Sequence, residues 1–154
     1  TCALPICLQH TIAIVSESLV VLSNQKIGAL VVLKRKNDLT EFEETGLVFY
    51  CTLSPNILET VFYKNAPLHD GALIIHGTQC IAARCILPMS EQSGHSEKTG
   101  TRHRAAAGIT EETDALALVV SEQTGDISGF MNGQRTLLEN EHAISDFLNK
   151  HWKN

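Results

Sequence analysis

The sequence predicts a single α/β domain of the mixed α+β kind, with a central twisted mixed β-sheet flanked by helices. Three observations predict it. The chain has 154 residues, 44% of them apolar, which is about one domain's length with enough apolar material for a core. Short Leu/Ile/Val/Ala runs such as 29–33 and 115–120 are continuous and bounded by charged or turn residues, as in strands buried on both faces. Between the runs lie segments whose apolar residues recur at helical spacing.

The elements follow in order. Ile12, Val15, Leu19 and Leu22 form an i, i+3, i+7, i+10 stripe, which predicts an amphipathic helix over 11–23 ended by 24–26. Residues 26–33 predict a central strand stopped by Lys34-Arg35-Lys36. The polar stretch 34–46 is a loop with room for a short helix. Residues 46–53 predict a second strand. Ser54-Pro55 pairs a capping residue with proline at the first helical position, predicting a helix over 55–63. Asn65-Ala66-Pro67 is a turn before a strand over 72–76. Gly77-Thr78 marks a hairpin, with 79–87 returning.

Residues 88–100 are polar and aperiodic and read as a surface loop. Thr101 is placed to cap a helix running to about Gly108. Residues 116–121 predict a buried strand, 124–126 a turn, and 127–130 the partner strand. Residues 134–152 predict a closing C-terminal helix whose apolar face is Leu137, Leu138, Ala143, Ile144, Phe147 and Leu148. No repeat or linker interrupts the pattern, so residues 1–154 read as one domain.

Composition excludes several classes. Disordered chains lack such apolar and β-branched content. Twelve Lys and Arg against seventeen Asp and Glu leave a net charge of −5, a poor basis for nucleic-acid binding through counterion release. No apolar run approaches the ~20 residues that cross a bilayer, and the N-terminus lacks the basic region of a signal peptide. A start at Thr1 rather than Met carries the expectation of a preceding segment. The five cysteines, at 2, 7, 51, 80 and 85, are odd in number and irregularly spaced, so reduced, mostly buried thiols are expected. Cys80 and Cys85, five apart in one strand, should face opposite sides. Dinucleotide, nucleophile-elbow and zincin motifs are absent, and the near-match to a phosphate loop at 94–99 lacks a glycine.

Three places carry candidate chemistry. Arg102, His103 and Arg104 fall in the first turn of a helix. That end already bears a partial positive charge and unpaired N–H groups, so cations there are unfavourable unless a polyanion docks. With a polyanion docked, the helix end, the Thr101 hydroxyl and the guanidiniums converge on phosphate oxygens. The plainer alternative is surface arginines tethered to Glu91 or Glu97. At His69-Asp70-Gly71-Ala72, the acid sits at a strand rim where it can bind a divalent ion or accept a hydroxyl proton. It can equally close an Asx-turn. Ser121-Glu122 ends a strand and reaches either a site at the sheet edge or only solvent.

Together these residues resemble the diadenylate cyclase family, nucleotidyltransferases that condense two ATP into cyclic di-AMP. Both family signatures, Asp70-Gly71-Ala72 and Thr101-Arg102-His103-Arg104, stand unsubstituted. Residues 26–32, 64–72, Leu87-Pro88-Met89-Ser90 and 115–125 also fit, so the resemblance covers about 11–130. It implies the DAC-domain fold. It gives Asp70 the task of deprotonating a ribose 3′-hydroxyl, with Arg102 and Arg104 also serving catalysis. His69, Asp70 and Glu122 are implied to hold Mg²⁺ or Mn²⁺. Thr101, Arg102, His103 and Arg104 are implied to cradle phosphates, and Gly71, Ala72, Leu87 and Ser121 to line the nucleotide pocket.

The membrane-anchored type is most similar, which implies a cytoplasmic domain tethered by a preceding segment. A regulatory membrane protein and a sugar-phosphate mutase are its implied partners. Ile86 departs from the pattern, standing where that type often has an aromatic that stacks on adenine, and loop 91–99 matches nothing in it. A two-fold product further implies a homodimer, since one ATP in one site cannot close the ring. A non-catalytic nucleotide-binding module on the same fold is the competing expectation; the retained Asp70 favours the enzyme.

Overall fold

The structure, a computed structural model, describes residues 4–92 and 100–152. The phosphate-loop near-match at 94–99, and most of loop 91–99, lie outside them. Its elements are α1 (Leu4–Asn24), β1 (Ala29–Leu33), α2 (Thr40–Glu43), β2 (Leu47–Thr52), α3 (Ile57–Phe62) and β3 (Ala72–His76), followed by β4 (Gln79–Cys85), α4 (Thr101–Glu112), β5 (Leu116–Val120), β6 (Ile127–Met131), β7 (Gln134–Leu138) and α5 (Glu141–His151). One seven-stranded sheet runs β2-β4-β3-β1-β5-β6-β7. Among the described residues only β1 and β3 pair in parallel; every other pair is antiparallel. The predicted mixed sheet flanked by helices is the fold observed.

Alternation along the central strands explains their uninterrupted apolar sequences. Val31, Leu33, Leu73, Ile75, Leu118 and Val120 pack into one core with α1, α3 and α5. Leu30, Val32, Ile74, Ala117 and Val119 face the opposite way, into a second core under α4. With both faces covered, no position needs a polar side chain. Cys80 and Cys85 fall into the two different cores as expected; burial pushes both thiols up to about 12. Cys7 departs from the expectation of reduced thiols: it is disulfide-bonded.

The stripe Ile12, Val15, Leu19 and Leu22 is buried as predicted, but α1 starts seven residues before residue 11. Pro5 lies in its first turn, where a missing N–H breaks no helical bond. Beyond the helix, Lys26 takes a left-handed φ of 52°. The Ile27 N–H bonds the Leu22 carbonyl and the Lys26 N–H that of Ser23, the paired pattern that closes a helix C-terminus. This turn delivers Gly28 to the start of β1.

Four expectations are corrected. Residues 134–152 are not one helix: 134–138 form β7, and only 141–151 are helical. Asn132 and Gly133 both have positive φ, 53° and 77°, and make the two-residue hairpin turn that Asn-Gly favours. Leu137 and Leu138 fall in step with the apolar face of α5, which hides that turn from a periodicity reading. Helix α5 begins where the Asn140 side chain accepts the Ala143 N–H. Helix α3 begins at Ile57 rather than Pro55, with Asn56 as N-cap. Gly100, not Thr101, is the N-cap of α4. Nor does Gly108 end α4: a β-carbon there would meet the Pro88 carbonyl oxygen at 1.9 Å, so this glycine lets the helix and the 87–90 segment touch.

Candidate active site

The register brings several segments to one edge of the sheet. At that edge β1, β3 and β6 begin and β4 and β5 end, through the pairings Ala29↔Val120, Ala72↔Cys85 and Val120↔Ile127. The residues just outside these strands, 26–28, 69–71, 86–87 and 121–126, therefore emerge side by side. Helix α4 packs on β5, β6 and β1 and carries Thr101, Arg102 and His103 in its first turn. Ser90 holds the 87–90 segment to α4, its N–H on the Arg104 carbonyl and its hydroxyl on Glu111 at 2.6 Å.

Two cavities open at this edge. The larger, about 730 Å³, is lined by Asp70, Gly71, Ile86, Leu87, Thr101 and Arg102, among others; its size is typical of small-molecule sites. The smaller, about 160 Å³, is lined by Thr101, Arg102, His103, Ser121, Glu122 and Arg135, among others. Thr101 and Arg102 line both, so Arg102 stands at the division between them.

Arg102 is held but not saturated. Its side chain is 19% exposed, and Nη1 lies 3.7 Å from Glu122 Oε2, longer than a hydrogen bond. Its Nε is buried with no hydrogen-bond partner. Of the tethering acids considered from sequence, Glu97 lies outside the described residues and Glu91 is not the partner; Glu122 is. Helix α4 has no acidic residue in its first turn and no side-chain cap among the described residues. Unmet guanidinium donors and uncapped N–H groups at one helix end make a site for a phosphate chain.

Asp70 is exposed, and among the described residues its carboxylate has no hydrogen bond or ion pair. It closes no Asx-turn. The next residue, Gly71, has φ +93°, and a β-carbon there would stand 2.9 Å from the Arg84 carbonyl carbon and the Cys85 carbonyl oxygen. Only glycine fits where the start of β3 passes so close to the end of β4. Leu87 is buried on the cavity wall, while Ile86 at the mouth is 70% exposed.

Other expected site residues fall elsewhere. Ala72 is fully buried in the core under α4 and lines neither cavity; it is packing. Arg104 is half-buried and also outside both cavities. His103 is buried, its ring in a T-shaped contact with Phe130, centroids 6.2 Å apart. Ser121 lines the smaller cavity rather than the larger, and its hydroxyl accepts the Gln123 and Thr124 N–H groups at 3.3 Å each. His69 lies outside both cavities, its Nδ1 2.8 Å from the Ala66 carbonyl, an arrangement that leaves Nε2 available.

The trio His69, Asp70 and Glu122 does not assemble: no group of three metal-ligating side chains converges among the described residues. The reason is strand order. Residues 69–70 precede β3, Glu122 follows β5, and β1 runs between, a separation of about 10 Å at two strand spacings.

Two residues that contribute here were missed in the sequence. A β-carbon at Gly28 would come within 2.4 Å of Arg102 Nη1, so glycine makes room for the guanidinium. The signal was a glycine inside an apolar strand run, a mark of close approach. Arg135 lines the smaller cavity from β7, the strand read as helix.

Residues 16–135 match the DAC family, described as the DisA bacterial checkpoint controller nucleotide-binding family. The chain is 38% identical over 145 residues to the cyclic di-AMP synthase CdaA of Bacillus subtilis, covering 94% of this chain and 53% of that protein. It is 40% identical over 125 residues to a diadenylate cyclase of Listeria monocytogenes, covering 81% and 46%. It thus spans about half the length of these curated relatives. The crystal structure of a double mutant of DacA from Staphylococcus aureus superposes with a TM-score of 0.91 at 39% identity, covering 94% of this chain and 97% of that one. On sequence and fold alike, the chain belongs to the DAC family.

Proposed function

We propose that this chain is the catalytic domain of a diadenylate cyclase, condensing two ATP into cyclic di-AMP with release of two pyrophosphates. One observation carries the reading: Asp70, a carboxylate without a partner, and Arg102, a guanidinium with unmet donors, line the same cavity. A nucleotide bound there puts its sugar by the acid and its phosphates by the helix end. The apolar wall at Leu87, Ile86 and Leu47 takes the base.

Asp70 accepts the proton of the ribose 3′-hydroxyl. The freed oxygen attacks the α-phosphorus of the ATP on a facing copy, and the bond to the β-phosphate breaks, releasing pyrophosphate. Arg102 and the N–H groups of α4 offset the charge that builds on the transferring and departing phosphates. The second ring bond forms the same way in the opposite direction. That symmetry requires two copies face to face, each presenting one nucleotide.

The reading includes Mg²⁺ or Mn²⁺. Such ions are commonly held by one or two carboxylates together with substrate phosphates, so the lack of a three-ligand cage is compatible with them. Asp70 would offer an oxygen donor from the larger cavity or Glu122 from the smaller, each together with phosphate oxygens rather than as a pair, and a bound ion would offset phosphate charge. Similarity to the membrane-anchored type extends the proposal to a domain tethered on the cytoplasmic side of the cell membrane. A regulatory membrane protein and a sugar-phosphate mutase complete it as partners. No described helix is long and apolar enough to cross a membrane.

The test is incubation with ATP and Mn²⁺ followed by mass spectrometry for cyclic di-AMP. Product supports the enzyme. ATP binding without product supports a non-catalytic nucleotide-binding module instead.

A further inference from the structure

We infer that Arg135 is a third cationic phosphate-binding group of this site, taking the terminal phosphates of ATP and the departing pyrophosphate. The inference rests on the proposed function and adds a group from a different part of the chain. Arg135 sits on β7 opposite Phe130 of β6, and Phe130 belongs to the core beneath α4. This puts Arg135 on the sheet face that carries α4. It leans along the sheet toward the site edge, because its Nε donates to the Ser128 hydroxyl at 2.8 Å, two residues nearer that edge than Phe130. Ser128 is fully buried, so it is a fixed anchor.

With Nε committed, the two terminal nitrogens of the fork remain for the smaller cavity, which Arg135 and Arg102 both line. No ion pair joins Arg135 to a carboxylate among the described residues. The cavity, at about 160 Å³, is small for a nucleoside and of a size for a compact group; Glu122 and Asp126 line it beside the two arginines. It opens beside the α4 N-terminus, which is free of side-chain caps among the described residues. Two guanidiniums lining one cavity at a helix end can act as a fork-and-fork clamp for the oxygens of a diphosphate. The sugar and base occupy the larger cavity, and Arg102 at the division spans the two parts of one nucleotide.

Calorimetric titration of inorganic pyrophosphate, ATP and AMP into wild type, Arg135→Gln and Arg135→Lys tests this, with thermal melting to verify folding. The expected result is a roughly tenfold or greater loss of affinity for pyrophosphate and ATP in Arg135→Gln, as for a lost charged hydrogen bond. AMP affinity should stay unchanged, and Arg135→Lys should recover part of the loss. Unchanged pyrophosphate affinity in a folded Arg135→Gln, or a parallel loss for AMP, overturns the assignment. The titrations read binding alone, so they decide the role of Arg135 even if wild type makes no cyclic di-AMP.

Discussion

The guanidinium of Arg102 fills the space that a side chain at residue 28 would need: a β-carbon on Gly28 would stand 2.4 Å from its Nη1 and 2.7 Å from its Cζ. The residue just before β1 and the first turn of α4 are therefore matched to each other, and the match sets where the guanidinium points. Gly28→Ala should fold, because the obstructed atoms are the far end of a flexible side chain. The displaced guanidinium should cost ATP about tenfold in affinity while adenosine binds as before. Calorimetry with both ligands checks this; equal losses would mean that residue 28 acts on the fold.

Asp70→Asn keeps the shape of the cavity wall and removes the proton acceptor. Turnover should fall by about 10²- to 10⁴-fold, the usual loss of a general base, while ATP affinity changes little. Single-turnover kinetics beside a binding titration separate the two. Undiminished turnover would assign the proton to another group.

Gly71→Ala should damage the fold rather than the chemistry alone. The φ of +93° and the 2.9 Å contacts to the end of β4 are with backbone, which cannot swing aside. A loss of about 1–3 kcal/mol in unfolding free energy is expected, read by urea denaturation. A stability equal to wild type would show that β3 and β4 can separate there.

Burial holds the Cys80 and Cys85 thiols at about 12, against an ordinary 9.0. For a thiol, a raised pKa means that the folded protein favours the protonated form, so the unfolded chain ionises first. Their contribution to stability is complete below pH 9 and declines as pH rises from about 9 to 12. Thermal melting across pH 8 to 10 should show a shallower decline in Cys80→Val than in wild type. Identical pH slopes would remove Cys80 from the effect.

Local signals and tertiary ones were unequally legible in the sequence. Strand β3 was readable to its last residue because a proline turn and a glycine turn bracket an unbroken apolar run. The stripe of α1 was readable because each of its four apolar residues is buried. Strand β7 was not, since its leucines fit the period of α5 and outweighed the Asn-Gly turn. In the site, Asp70, Gly71, Leu87, Thr101 and Arg102 were named from sequence and share one cavity. Ala72 and Arg104 were named with them as members of the two signatures, but strand alternation and helix phase turn both away from it. Gly28 and Arg135 depend on how β1 and β7 lie against α4, and no local pattern encodes that. The three side chains named as metal ligands do not converge among the described residues for the same reason: the order of the strands, invisible along the chain, separates Glu122 from Asp70.

The most direct measurement is a crystal structure of Asp70→Asn grown with ATP and Mg²⁺. The expected result is one nucleotide per chain, its 3′-hydroxyl within hydrogen-bonding reach of residue 70 and its phosphates on Arg102 and the first N–H groups of α4. An ATP molecule seated elsewhere, or one whose phosphates lie beyond the reach of Arg102, would contradict it.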